Sequence, residues 1–171
     1  MSILSTFNDI RCFIYMKLVY NKMEQRDYLG NPHSTSSKAS LEAINKFTRL
    51  EINYANPNMR EIHVALASDS KCASLLIIHA YMALMIEGPN MARDALSYLN
   101  RIERTNERER LWEASFRALL APGHTARFHA KEAMCNSMIP LLERYPRDML
   151  ALKLAVTLSC LLYTSPSPRD S

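Results

Sequence analysis

Glycine is nearly missing from this chain: Gly30, Gly88 and Gly123 are the only three in 171 residues, and they never cluster. Loops that cradle a phosphate with successive backbone N–H groups need clustered glycines, so glycine-rich nucleotide-binding loops are excluded. Cysteine is sparse and unpatterned, with Cys12, Cys72, Cys135 and Cys160 far apart and no CxxC pair. They read as reduced, mostly buried thiols of a cytoplasmic protein. Short β-branched alternation and Asn-Gly turns are missing, so no strand is expected. No apolar run approaches the length of a bilayer crossing. The first stretch, MSILSTFNDIRCFIYMKLVYNKM, is apolar, yet Asp9, Arg11 and Lys17 interrupt any signal-peptide core. Excess charge is slight: the net is +4, and most basic residues have an Asp or Glu nearby. That balance does not point to nucleic acid.

What is present is helix. Hydrophobic residues make up 48% and charged residues 22%, a globular composition at the size of one domain. After a polar stretch in which Gly30, Asn31 and Pro32 argue against regular structure, Ser34 to Ser37 offer N-cap oxygens. From Ala39 the residues Ala43, Ile44, Phe47, Leu50 and Tyr54 recur at helical steps until Asn56-Pro57. A shorter helix follows on Met59, Ile62 and Leu66; Ser68-Asp69-Ser70 ends it and supplies a cap for the next. KCASLLIIHAYMALMIEG is apolar on nearly all sides, as a helix buried between neighbours must be, and Gly88-Pro89 stops it.

The next helix shows Met91, Ala95, Leu99 and Ile102 on one face. Asn106 and Glu109 form a capping box for the one after, which packs through Leu111, Trp112, Ala114, Phe116 and Leu119. A further helix carries Phe128, Ala133, Met134, Met138, Leu141 and Leu142, with Pro140 kinking it or opening a fresh turn. Asp148 caps the last. The expectation is an all-α chain of six or seven helices joined by short turns.

Helices of similar length joined by short turns predict stacked hairpins. Ala80 and Ala92 stand twelve apart across a turn, as do the two small residues where a tetratricopeptide (TPR) hairpin closes. The Trp-Leu-Gly-Tyr first-helix pattern is not met, and no 34-residue repeat can be laid down twice without gaps. Three stretches, GNPHSTSSKASLEAINKF, TNERERLWEASFRALLAPGH and above all LLERYPRDMLALKLA, resemble the family of tetratricopeptide repeat protein 38. The likeness runs over about 29–155 and departs around His124 to Asn136. It implies a TPR-like α-solenoid of which this chain covers the first third or so.

Residues 1–22 have no counterpart in that family and are read as a non-native or unstructured leader, with Met23 as the native start. CLLYTSPSPRD, Cys160 to Asp170, resembles the translated adapter of transposase-based sequencing libraries. The expected division is therefore leader 1–22, truncated helical domain 23–159, and a disordered adapter-derived tail 160–171.

Chemistry-bearing clusters are few. His124, His129 and Glu132 are the nearest to a ligand set, but residues five apart on a helix do not share a face. His79 is expected to be a core histidine bonded to a backbone carbonyl. Cys72 and Cys135 lack the flanks of an activated nucleophile. The run RIERTNERERLWE alternates sign and reads as a solvated, salt-bridged helix end. No catalytic residue, cofactor or metal ligand is inferred. Ten methionines fit core filling or an adaptable binding groove. The expected function is a protein-interaction scaffold with a protein or peptide partner and no membrane or nucleic-acid role. The alternative is a small helical metal- or thiol-dependent enzyme using His124, His129, Glu132 or Cys135.

Overall fold

The computed structural model describes residues 24–86, 89–123 and 127–164. The leader expected over 1–22 and most of the expected tail lie outside them. Seven helices stand among the described residues: α1 Lys38–Ile52, α2 Met59–Ser68, α3 Ala73–Met85, α4 Met91–Leu99, α5 Glu107–Leu120, α6 Arg127–Arg144 and α7 Met149–Thr164. The all-α expectation holds in that coarse sense. The last helix runs five residues past Ser159, where the sequence changes character.

One element contradicts the sequence reading. Strands β1 Glu24–Arg26 and β2 Pro32–Ser34 pair antiparallel, with Gln25 opposite His33. The polar stretch is a hairpin turn and not a breaker. Asp27 makes it: its Oδ1 accepts the N–H of Leu29 at 2.9 Å and of Asn31 at 2.8 Å, while its own carbonyl accepts Gly30 N–H at 2.9 Å. Gly30 supplies the left-handed turn residue at φ +86°. Three-residue strands carry too little alternation to be seen in sequence.

Most helix starts follow the sequence. Ser37 caps α1 by accepting Ser40 N–H, Asn58 caps α2, Asn106 and Glu109 form the capping box of α5, and Asp148 Oδ1 accepts Ala151 N–H at the head of α7. α3 departs: Cys72 is its N-cap with no side-chain bond, because Asp69 is turned toward the hairpin. α1 also stops short of Asn56-Pro57. It ends at Ile52, and Tyr54 sits beyond it at φ +54° with its ring exposed. α6 passes through Pro140 as one helix.

Consecutive helices pack as α1/α2, α3/α4 and α5/α6 hairpins, with α7 laid on α6. α3 is buried on nearly all sides, as its composition requires. Leu75, Leu76, Leu99, Phe116, Met138 and Leu141 are fully enclosed at the centre. Ala80 is buried, but Ala92, expected as its small partner, is exposed, and Ala95, one turn later, is buried in its place. Ala114 is likewise exposed, and Ser115 packs inward instead. α1 also touches α7, which a strictly nearest-neighbour array would not allow. Glu51 ties them: it accepts from Lys153 Nζ at 2.8 Å and from the Tyr81 hydroxyl at 2.7 Å.

Candidate functional site: a buried polar clamp on the hairpin

The hairpin lies across the N-terminal ends of α1, α3, α5 and α7. Each end presents unsatisfied backbone N–H groups and the positive pole of a helix, which favour carboxylates there. The sequence supplies three at these ends, Asp69, Glu109 and Asp148, and a fourth, Asp27, within the hairpin itself.

Glu109 is the centre. Its residue is 0% exposed, and both carboxylate oxygens are saturated. Oε1 accepts Ser34 N–H at 3.0 Å and the Ser74 hydroxyl at 2.5 Å; Oε2 accepts Asn106 N–H at 3.0 Å and the Ser34 hydroxyl. Four donors match four lone-pair sites, which is how a buried carboxylate offsets its lost hydration.

His33 links this carboxylate to a second one. Its Nδ1 lies 2.7 Å from Ser74 Oγ and its Nε2 3.3 Å from Asp27 Oδ2. Burial pushes the His33 pKa down against the pull of Asp27. A neutral ring that donates from Nε2 to Asp27 must accept at Nδ1. Asp27 shows the complement: burial works to raise it, yet bonds from His33 and Asn31 win and hold it at about 2. Ser74 has one hydroxyl hydrogen for two close acceptors, His33 and Glu109, so the chain Asp27–His33–Ser74–Glu109 has room for one further proton.

A parallel ion pair closes the other side. Arg108 Nε donates to Asp148 Oδ2 at 2.7 Å, Trp112 Nε1 donates to the same oxygen at 2.7 Å, and Arg108 Nη1 reaches the Pro32 carbonyl at 3.5 Å. Thr35 and Ser40 hydroxyls both donate to Asp69 Oδ2. Asn31 Nδ2 reaches Arg147 O. The segment 31–35 is thus gripped, backbone and side chain, by Asp69 at the turn between α2 and α3, by residues of α3 and α5, and by the entry to α7. A cavity of about 20 Å³ adjoins His33, Ser74, Arg108 and Trp112. That is room for one water.

The charge run is therefore not wholly solvated. Lys71–Glu103, Arg117–Glu113 and Arg144–Glu107 are the exposed ion pairs it predicted. Arg108 and Glu109, however, turn inward, because position on the helix and not sign decides which charge faces the core.

Among the described residues, those named from sequence do not converge. His124 lies outside the described residues. His129 and Glu132 are exposed on α6, with the His129 ring against Phe128. Burial pushes the Cys135 thiol pKa up while a bond to Ser159 opposes it, and burial pushes Cys72 up to about 12. Neither is an activated thiolate. Among the described residues no three His, Cys, Asp or Glu side chains gather as a metal site. No described helix is long and apolar enough to cross a membrane. His79 does bond a backbone carbonyl, that of Leu75, through Nδ1 at 2.8 Å. No family model, curated protein or solved structure matches this chain.

Proposed function

We propose that the chain is a TPR-like helical-hairpin scaffold of the cytoplasm that recognises an extended peptide or protein segment. The observation that carries this reading is the grip on residues 31–35. Side chains from the helix ends read an extended backbone through Ser34 N–H and the Pro32 carbonyl, and its hydroxyls through Glu109 and Asp69. Extended segments are recognised in this way by backbone bonds plus side-chain pockets. Stacked helix pairs present such surfaces on each layer. An open groove of about 520 Å³ between α1 and α2, flanked by Ala39, Ala43, Lys46, Glu61 and Val64, leaves a second surface free of the hairpin.

The test is selection of peptides from a random display library on the whole chain. The expected result is saturable 1:1 binding with the peptide recovered intact, weakened about tenfold or more by Lys46→Glu or Val64→Asp. No saturable binder from such a library overturns the scaffold. The enzyme alternative predicts instead a stoichiometric metal lost on His129→Ala, or a thiol at Cys135 that reacts rapidly near neutral pH.

A further inference from the structure

A row of four groups crosses α2, α3 and α4 away from the clamp. The rings of His63 and His79 stand 4.7 Å apart between centroids at 79°, His79 and Tyr98 4.7 Å apart at 32°, and the Arg101 guanidinium lies 6.0 Å from the Tyr98 ring. Both histidines make the same local bond. His63 Nδ1 lies 2.7 Å from the Met59 carbonyl, and His79 Nδ1 2.8 Å from that of Leu75, each one turn back. A carbonyl only accepts, so Nδ1 carries the hydrogen in both rings and Nε2 carries a lone pair. His79 is 3% exposed, and its Nε2 is buried with no hydrogen-bond partner. Leaving a buried polar atom unmatched is costly, so this one calls for an explanation. An imidazole whose Nδ1–H is tied to a backbone carbonyl, with Nε2 left open, is oriented as metal-ligating histidines are.

The surroundings narrow the metal. α2 and α3 are joined by a short turn, and His63 and His79 bring their faces together. Met59 is four residues before His63, and Met82 three after His79. Each thioether therefore shares a helix face with its imidazole, and both methionines are half-buried. The candidate donors on these faces are therefore two imidazoles and two thioethers. Thioethers are soft donors that suit copper(I), whereas zinc is held by imidazole, thiolate or carboxylate and the hard dications by oxygen. Arg101, beyond Tyr98, disfavours a dication more than a monocation.

We propose that His63 and His79 form the core of a copper(I) site between α2 and α3, completed by the thioethers of Met59 and Met82. The two rings touch as they stand, so a metal enters as His63 swings outward, which its exposed position permits. His79 stays fixed as the inner ligand.

The test is an anaerobic copper(I) titration of the whole chain against bicinchoninate, with Cys12, Cys135 and Cys160 changed to Ser to remove competing thiolates. Cys72 is buried, with its thiol pushed up to about 12, and does not compete. The expected result is one equivalent withheld from the chelator, with the ring ¹⁵N signals of His63 and His79 shifting together. His63→Ala, at an exposed position that leaves the core intact, weakens binding about 100-fold, and Met59→Leu or Met82→Leu about tenfold. His129→Ala leaves it unchanged. Failure to withhold copper from the chelator, or a His63→Ala chain that titrates like its parent, overturns the proposal.

Discussion

Glu109→Gln keeps the shape of the side chain at the centre of the clamp and removes its charge. Each carboxylate oxygen accepts one backbone N–H and one hydroxyl: Ser34 N–H with Ser74 on one side, Asn106 N–H with Ser34 on the other. The serine hydroxyls can rotate to accept from an amide nitrogen, but a backbone N–H cannot. Whichever way the glutamine turns, its NH₂ opposes one buried N–H, and the remaining bonds lose charge assistance. A hydrogen bond to a charged group is worth about 1.5 to 3 kcal/mol, and an orphaned buried donor costs about 1 to 3. Together these give roughly 3 to 5 kcal/mol, a large share of a typical domain's stability of about 5 to 15. For a chain of this size that lowers Tm by roughly 10 to 15 °C. Urea unfolding followed by circular dichroism measures the loss. A Glu109→Gln chain within about 1 kcal/mol of the parent refutes the reasoning, since neither the lost charge assistance nor the opposed N–H would then carry its expected cost.

Acid should weaken the fold in two stages. His33 and His79 are pushed below their ordinary value by burial, so the folded state favours their neutral forms. Their contribution is present above about pH 6.5 and is lost as pH falls, when the unfolded chain takes up protons that the folded one resists. Asp27, held at about 2 against 3.8, adds roughly 2 kcal/mol that persists above pH 4 and disappears as pH falls through 2. Stability curves from pH 8 to 2 show both steps, and His79→Gln flattens the first. Lys153→Met removes the bond that joins α7 to Glu51 on α1 and leaves that carboxylate with Tyr81 alone. A loss of about 1 to 3 kcal/mol is expected, recovered in part by Glu51→Gln in the same chain, and chemical unfolding of the single and double variants measures it. Cys72 should react with Ellman's reagent only on unfolding, while a Cys72 thiol modified rapidly in the native chain would contradict its burial.

Much of the helical frame was legible because caps and periodicity are local. A start among Ser34 to Ser37, and starts at Asn106 with Glu109 and at Asp148, can be placed from a few neighbouring residues, and the all-round apolarity of α3 announces a helix between layers. The clamp was hidden because its partners are distant. Ser34 and Glu109 are 75 residues apart, and Arg108 and Asp148 are 40 apart. Glu109 was recognised in its local role, as the capping-box partner, which uses one carboxylate oxygen for Asn106 and says nothing of the other three donors. The hairpin escaped notice because Asp27 builds its turn with a side chain, in a stretch whose proline and glycine read as breakers. The α1–α7 contact, too, rests on Glu51 and Lys153, 102 residues apart, which no period predicts.

Amide hydrogen exchange at Ser34 tests the central claim most directly, because that N–H is donated to Glu109 at the middle of the clamp. If the hairpin is held as the structure shows, Ser34 exchanges only with opening of the α3–α5 core, at a rate matched to the amides of Leu76 and Phe116, and Glu109→Gln releases it selectively. Exchange of Ser34 at the rate of a free peptide, with the core amides still protected, would show that the hairpin is not clamped and that the extended-segment grip does not exist in solution.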